Sequence, residues 1–458
     1  MGGLFDALQI GSSAVDAARA GIELCSHNIA NSNTQGFHRR QIRLSPVDPP
    51  PVLGGGVRVE GETRVVDALL DRQVTSGTAD QGWADTRETL LLQVQQASAS
   101  IGDSGLSATL SGLFNAFSAL SASPADTTTR EKVLDAAGQV VDAFHGASAG
   151  LKAVADGIEK DIAPALAEVN QKAGQVAELN AKIAASEANG QEASDLRDQR
   201  DVLVGDLARI AGAQTITDGS GQTTVLVGGL TLVQGNHAAQ LQAQPDAALG
   251  GTSRIALVDG ATSLDVTARL QSGELGGRLQ VRDQVVPGVQ AQLDQLAYDL
   301  ATTVNTQHQA GYGLDGTQTT FFAAPAGVPG AAAGLALRSG ITAREVAAAS
   351  SPGLPGNSDN AIALAGLANG KNAGGGTTTF GGQAATIVGD VGTQVAEGQR
   401  ESSLRQDQLT HLQSLQGSEE SVSLDEEMTQ LLTYQRSYQA SAHVLQVVDG
   451  LLDNLMSI

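Results

Sequence analysis

The sequence predicts an α+β multidomain fold: a discontinuous N/C-terminal α-helical coiled-coil stem and a helical bundle, with an inserted antiparallel β-rich outer domain. Three observations predict it. Apolar residues recur in heptads at both ends of the chain, long amphipathic helical tracts lie between them, and the apolar period becomes alternating over residues 214–270. A chain of 458 residues also exceeds what one compact core usually holds, so more than one domain is expected.

The N-terminal segment carries the first heptad seam. From Leu4 onward, small or apolar residues recur at alternating steps of four and three: Leu8, Gly11, Val15, Ala18, Ile22, Cys25 and Ile29. The pattern stops in the polar stretch 28–36, whose Asn, Ser, Thr and Gly residues favour turns. A long helix followed by a turn is therefore expected.

An extended connector is predicted after this turn. Pro46 and the three prolines at 49–51 remove backbone donors and fix the chain, so they exclude a helix. The glycines at 54–56 lead into alternating residues that begin at Val57. This pattern indicates a short strand or a hairpin.

Helices are predicted next. One begins near Asp67, and another spans 106–120. Thr128 and Glu131 have the spacing of a capping box, ahead of a long tract with apolar residues along one face. Pro164 predicts a kink or a break within that tract.

The period of the apolar residues changes in the middle of the chain. The helix predicted over 193–210 carries alternating charges at 195–201, which are typical of a solvated face. Glycine-containing turns then separate short runs rich in Val, Ile, Leu and Thr, so 214–270 is predicted to form antiparallel strands. A helix returns over 274–309, and the Gly- and Ala-rich stretch 311–382 is assigned to the outer β-rich domain.

The C-terminal segment carries a second heptad seam. A helical tract from Val388 is predicted to end at Gly417, and Ser423 with Glu426 supplies a fresh capping box. The seam that follows consists of Leu424, Met428, Leu431, Gln435, Tyr438, Ala442, Leu445, Val448, Leu452 and Leu455.

Each terminal seam needs a partner, because a single exposed helix with an apolar seam is marginally stable in water. The simplest partner is the helix at the other end of the chain, although membership of an ordinary helical bundle is also compatible with the pattern. Pairing of the ends predicts three domains: a terminal stem of 1–45 with 418–458, a helical domain of 46–212 with 271–310 and 386–417, and an outer β-rich domain of 213–270 with 311–385.

Composition excludes several kinds of partner. The 49 acidic residues outnumber the 27 basic ones, giving a net charge of −22, so neither nucleic acid nor an anionic membrane is expected to bind. No apolar run of about 18 residues is present to insert into a membrane. Cys25 is the single cysteine, which leaves no intrachain disulfide. The first ten residues lack the pattern of a secretory leader, which favours a cytoplasmic protein or export without cleavage.

Two terminal motifs resemble the family of flagellar rod, hook and hook-associated proteins. The first is the ten-residue block 28–37, whose motif residues are Asn28, Asn31, Asn33, Thr34, Gly36 and Phe37. Phe37-His38-Arg39-Arg40 stands where family members more commonly have Tyr, one residue and then Arg-Gln. The second motif spans 424–455 and includes the block 434–442. Three middle stretches, 124–134, 195–203 and 273–316, are similar to the hook-associated protein 1 family.

The resemblance implies a structural subunit of the extracellular bacterial flagellum at the hook–filament junction. It implies self-association, with the flagellar hook protein and hook-associated protein 3 as neighbours. It also implies uncleaved type III export and a cytoplasmic export chaperone that binds the C-terminal helix. The predicted assembly interface consists of Leu8, Val15, Ile22 and Ile29 at one end, and Leu424, Met428, Leu431, Tyr438, Leu445 and Leu452 at the other. A flagellar hook or rod subunit, which shares the terminal motifs, is the alternative.

Catalytic, metal and cofactor sites are not predicted. Ser104 lies in a Gly-Asp-Ser-Gly sequence typical of serine proteases, so a serine hydrolase is a remote alternative, but its neighbours are helical. The segment 366–371 is too short by one residue for a phosphate-binding loop. The seven histidines are dispersed without metal-binding spacing, which favours solvent-facing or hydrogen-bonding roles.

Overall fold

A computed structural model of the chain describes residues 2–47, 55–102, 105–188, 192–218, 221–246 and 251–456. The helices are α1 (Gly2–Asn31), α2 (Ala68–Ser98), α3 (Leu106–Ala122), α4 (Thr127–Glu187), α5 (Ser194–Ala211), α6 (Gly273–Gln280), α7 (Val286–Gln309), α8 (Ala331–Gly334), α9 (Asp359–Gly366), α10 (Phe380–Glu420) and α11 (Leu424–Met456). The strands are β1 (Arg40–Pro46), β2 (Val57–Arg64), β3 (Gln214–Thr217), β4 (Thr223–Val227), β5 (Leu230–Gln234), β6 (His237–Ala238), β7 (Gln240–Pro245), β8 (Ser253–Asp259) and β9 (Thr262–Asp265).

The two terminal helices, α1 and α11, pack against each other in opposite directions. Gly11 lies against Leu445, and Gly21 lies against the ring of Tyr434 ten residues further along α1. Cys25, still further along, contacts Glu427 near the start of α11, and this cysteine is 2% exposed. Small residues on α1 therefore let the two helices approach closely along most of their length.

Gly21 offers a direct test of this close approach. A Cβ atom at this position would lie 2.6 Å from the Tyr434 ring, which is less than a van der Waals contact. Gly21→Val is expected to destabilise the terminal helix pair by about 1–3 kcal/mol through overpacking. Hydrogen exchange of the α1 and α11 amides is the measurement. Gly157→Val in α4, where a Cβ meets open space, is the control, and equal exchange in both variants would contradict the pairing.

One hydrophobic core is formed by α2, α3, α7 and α10 together with the first half of α4, and we call this part the helical body. α2 and α10 run side by side, with Arg405 of α10 bound to Asp80 at 3.2 Å and Gly398 packed on Leu91. α10 continues through Gly417 as far as Glu420, so the predicted end at Gly417 is wrong. A glycine weakens a helix interior but does not end it when the flanking turns are held by packing.

Helix α4 belongs to two hydrophobic cores. Its first half packs with α3 and α7 through buried residues such as Phe144 and Leu151. Its second half packs through Val169 and Val176 against α5 and the β-sheets. The helix runs without interruption through Pro164, so the break that was one of the two predicted outcomes does not occur. Its N-cap is Asp126, whose carboxylate accepts from two amides, so the predicted cap at Thr128 lies two residues too late.

The predicted antiparallel β region is present between α5 and α6. β3 to β6 form one sheet in sequence order, and β7 to β9 form a second. Val225, Val233, Ile255 and Leu257 point inward onto α4 and α5. Between α6 and α7 the helix widens into a π-helical turn at Val281–Val285, where Arg282 binds Glu159 of α4 at 2.8 Å.

The assignment of 311–385 to a β-rich domain is wrong in its strand content. This segment contains three isolated β-bridges and short helical turns in place of a sheet. Phe321, Phe322 and Phe380 are at most 1% exposed and belong to the core of the long helices. These few large aromatic side chains hold the glycine-rich chain on the body, because each buries much more apolar surface than an alanine.

Among the described residues, no helix is both long enough and apolar enough to cross a membrane.

Candidate assembly site

The motif 28–37 forms the turn that leads from α1 into the hairpin of β1 and β2. The side-chain amide of Asn28 donates to the Arg40 carbonyl at 3.0 Å and accepts from the Arg40 amide at 3.2 Å. Asn31 donates to the His27 carbonyl and accepts from the Thr34 hydroxyl. Asn28 thus ties the end of α1 to the first residue of β1, and Asn31 holds the turn through His27 and Thr34. Asn33 is exposed.

The same turn docks the terminal segment on α5. Gly36 has a φ of +76°, and a Cβ at this position would lie 2.3 Å from a methyl group of Val202. Both facts require glycine, since other residues disfavour positive φ and no room is left for a side chain. Phe37 packs against His27, with 5.6 Å between ring centroids, and the guanidinium of Arg40 lies over its ring. The motif therefore fixes the path from α1 to the body.

Three of the charged residues at 195–201 bind arginines of the hairpin, namely Asp195, Asp198 and Asp201. The predicted solvated face is wrong at two charged positions of this helix. Asp198 is 7% exposed and Arg200 is 3% exposed. Asp198 accepts from Arg64 of β2 at 2.8 Å, and Arg64 also reaches Asp201 at 2.8 Å. Arg40 of β1 binds Asp195 and lies 3.1 Å from Glu62. A layer of ion pairs, buried at Arg40, Arg64 and Asp198 and exposed at its edge, thus joins the hairpin to α5.

Four more groups extend this layer to the other end of the chain. His38 lies between Asp198, at 2.8 Å from its Nδ1, and Glu420, at 3.6 Å from its Nε2. Glu420 is the last residue of α10 and accepts from the Asp67 amide at 2.6 Å. Arg39 binds Glu426 of α11 at 2.9 Å. We call the set His38, Arg39, Arg40, Glu62, Arg64, Asp71, Glu192, Asp195, Asp198, Asp201, Glu420 and Glu426 the charged joint.

The pKa values in the charged joint follow from burial and pairing. Burial disfavours the charged form of Asp198, but hydrogen bonds from His38 and Arg64 outweigh it, so the pKa of Asp198 is lowered. Burial also disfavours protonation of His38, yet its bond to Asp198 raises the pKa of the ring. Burial raises the pKa of both Asp71 and Glu420. Burial therefore works against the ionised forms of these two carboxyl groups.

The seam residues predicted on α1 lie along the helix pair. Leu8, Val15, Ile22 and Ile29 are all half-buried, whereas Ala17, Ala18 and Cys25 are buried. The small residues thus carry the closest contact, and the larger ones flank it. Burial of Cys25 is the larger cause, and the neighbouring carboxylate of Glu427 the smaller, that raise the pKa of the thiol to about 12.

The seam residues predicted on α11 divide into two groups. Leu431, Leu445 and Leu452 are half-buried, while Leu424, Met428 and Tyr438 are 41% to 52% exposed. The positions that face α1 include Glu427, Tyr434 and Val448, of which the first two are absent from the predicted seam. Both of these side chains carry a polar group, so an apolar heptad pattern does not include them.

A stretch of apolar surface remains on α11 after α1 is in place. Val444, Val447 and Leu451 are each about half exposed, and their spacing of three and four residues puts them on one face of the helix. Single exposed apolar residues are ordinary, but a row of them on one helix is typical of a surface that contacts another protein.

Ser104, the remote catalytic candidate, lies outside the described residues.

Long helices that join the two chain ends, with a β region inserted between them and an apolar face left open, define a structural subunit built for assembly. Residues 91–322 match the family described as flagellar hook-associated protein FlgK helical domain. Residues 417–458 match flagellar basal body rod FlgEFG protein C-terminal. The chain belongs to the FlgK family of flagellar hook-associated proteins, which confirms the resemblance found in the sequence. It is thus a structural subunit of the bacterial flagellum at the hook–filament junction.

Curated relatives agree with this membership over nearly the whole chain. The chain is 28% identical to flagellar hook-associated protein 1 of Salmonella typhimurium, covering 97% of this chain and 98% of the relative. It is 26% identical to the protein of the same name from Bacillus subtilis, covering 99% and 98%. The solved structure of the flagellar hook junction protein FlgK from Burkholderia pseudomallei shares the fold, with a TM-score of 0.69 and 17% identity over 77% of this chain and 100% of that chain.

Proposed function

We propose that the chain acts mechanically and without catalysis, and that its terminal helix pair stacks with that of neighbouring copies in a tubular junction. The observation that carries the proposal is the apolar face of α11, which stays exposed after α1 has packed against the neighbouring side of the helix. Heterologous contacts between identical subunits that do not close in a plane generate tubes and filaments. Some of the predicted seam residues make contacts between α1 and α11 within the chain, and others make contacts between copies.

Three domains divide this work. The terminal stem lies in the axial stack, and the helical body and the outer β-sheets extend from it. The segment 311–385 packs on the core of the long helices, so in this proposal it moves with the helical body. The charged joint sets the angle between stem and body, since its residues come from α2, α5, α10, α11 and the hairpin.

The neighbours of the stack are the flagellar hook protein on one side and hook-associated protein 3 on the other. The chain is exported without cleavage by the type III route, and it takes up this position outside the cell. Before assembly, an export chaperone in the cytoplasm covers α11, whose exposed apolar residues need protection from water and from aggregation.

Val447→Asp tests the open face of α11. Val447 is 50% exposed, so the isolated chain is expected to keep its thermal stability within about 0.5 kcal/mol. Assembly is expected to fail, because the contact between copies would bury an unpaired charge. Electron microscopy of a deletion strain that expresses the variant is expected to show hooks without filaments.

Gln446→Asp is the matched control, since it adds the same charge one residue away at an exposed position on another side of α11. It is expected to restore filaments. Normal filaments with Val447→Asp would refute the proposed contact. The deletion strain itself separates the alternatives, because loss of a rod subunit prevents hooks altogether.

A further inference from the structure

Three ligand-type side chains converge within the charged joint. One atom each from His38, Asp71 and Glu420 lies within 4.8 Å of the other two. The three residues come from the segment after α1, the first turn of α2 and the last residue of α10. A tetrahedral ion with bonds of about 2.0–2.2 Å holds its ligand atoms roughly 3.3–3.6 Å apart. His38 Nε2 and Glu420 Oε2 are already 3.6 Å apart.

The orientation of His38 is fixed by its other ring nitrogen. Nδ1 lies 2.8 Å from Asp198 Oδ1, and a carboxylate in this position accepts the Nδ1 proton. In the neutral ring, Nε2 then carries the lone pair, and it lies 3.6 Å from Glu420 Oε2. A carboxylate that orients a histidine in this way is the usual outer partner of a metal-binding imidazole.

Glu420 provides the second, independent observation. The residue is 3% exposed, and its Oε2 has no hydrogen-bond partner among the described residues. Its Oε1 is already bound to the Asp67 amide, so Oε2 is the oxygen turned toward His38. A buried carboxylate oxygen without a donor is costly unless a cation neutralises it. Asp71 accepts from Gln416 through Oδ1 at 2.7 Å, and is only partly buried, which leaves a route from solvent.

The charge of the surrounding layer points the same way. Its eight acidic members outnumber its arginines Arg39, Arg40 and Arg64, even with Arg197 and Arg200 of α5 added, which lie 3.6 Å from Glu192 and 3.5 Å from Asp201. Arg40 and Arg64 bind Asp195, Asp198 and Asp201, and Arg39 binds Glu426 of α11. Among the described residues, neither Asp71 nor Glu420 forms an ion pair with an arginine, and both offer a carboxylate oxygen within 4.8 Å of the His38 ring nitrogen. Added positive charge is therefore most favourable between these three side chains.

We propose that His38 Nε2 and one carboxylate oxygen each of Asp71 and Glu420 bind a divalent transition-metal cation of the Zn²⁺ class. One imidazole with two carboxylates suits such ions, and water completes the coordination. The cation would join the end of α10 to the start of α2 and to the turn after α1. It would thereby lock the terminal stem to the helical body.

Titration calorimetry of the purified full chain with Zn²⁺ tests the site. One equivalent is expected to bind, and Glu420→Gln and Asp71→Asn are each expected to weaken binding at least tenfold. Glu419→Gln, an exposed neighbour on the same helix, is the matched control and is expected to keep the wild-type affinity. Absence of binding, or Glu420→Gln binding within twofold of wild type, would overturn the proposal.

A second measurement on the unaltered chain does not depend on the folding of any variant. Co²⁺ is expected to give a visible absorption band that one equivalent of Zn²⁺ abolishes. Hydrogen exchange is expected to slow on Zn²⁺ binding in the amides around 37–40, 67–71 and 416–420, since a ligand that binds only the folded joint suppresses its opening. A Co²⁺ band that Zn²⁺ does not displace, or protection at other segments only, counts against the site.

Discussion

Asp198→Ala is expected to lower the free energy of unfolding by about 3–5 kcal/mol, because it leaves the buried Arg64 guanidinium and the buried Nδ1–H group of His38 without their shared acceptor. Asp198 accepts from both His38 and Arg64 at 2.8 Å, and its side chain is 10% exposed. Arg64 retains Asp201, which is itself one-third exposed and cannot satisfy His38. The loss is expected to appear first where the hairpin meets α5.

Asp195→Ala is the matched control on the same helix. Asp195 also binds an arginine of the hairpin, but its side chain is 66% exposed, so its loss is expected to cost less than about 1 kcal/mol. Calorimetric unfolding, with hydrogen exchange over 37–46 and 57–66, measures both variants. Similar losses in the two would show that burial of Asp198 contributes nothing beyond a surface ion pair.

His308 is expected to make the body sensitive to acid. Its ring is fully buried, its Nδ1 donates to the Thr319 carbonyl, and its Nε2 accepts from the Ala347 amide. Burial lowers the pKa of His308 to about 4 from 6.5, so the unfolded chain takes up a proton first as pH falls. The stabilisation is complete above pH 6.5 and is lost between pH 6.5 and 4, by roughly 3 kcal/mol.

His308→Gln isolates this contribution. The glutamine amide can donate and accept but does not titrate, so the variant is expected to lose less stability than the wild type between pH 7 and 4.5. Urea unfolding at both pH values gives the difference. His237→Gln, whose side chain is 65% exposed in the wild type, is the control and is expected to leave the pH dependence unchanged. An unchanged slope in His308→Gln would assign the acid sensitivity to other groups.

The helices and the antiparallel region could be predicted because their signals are local. Heptad spacing marks α1 and α11, and the change of period at Gln214 marks the start of the sheets within a residue or two. The segment after Gly311 could not be predicted in this way. Its place in the core depends on three phenylalanines, which have no periodicity to reveal them.

The charged joint was not predictable from sequence patterns. His38 and Asp198 are 160 residues apart, and Asp67 and Glu420 are 353 apart, so no spacing rule connects them. The charges at 195–201 resemble those of a solvated helix, and only the approach of β1 and β2 buries Asp198. The one local signal was Arg40, which stands where members of the flagellar rod, hook and hook-associated family more commonly have Gln.

Helix α4 gives the body an unusual mechanical property. Since its 61 residues rise by about 1.5 Å each, it is roughly 90 Å long and is clamped at one half by the helices and at the other by the sheets. A sideways force on the sheets therefore rotates α4 about its first half, which is packed in the core of the long helices. Load at the periphery reaches the interior without passing through a flexible linker.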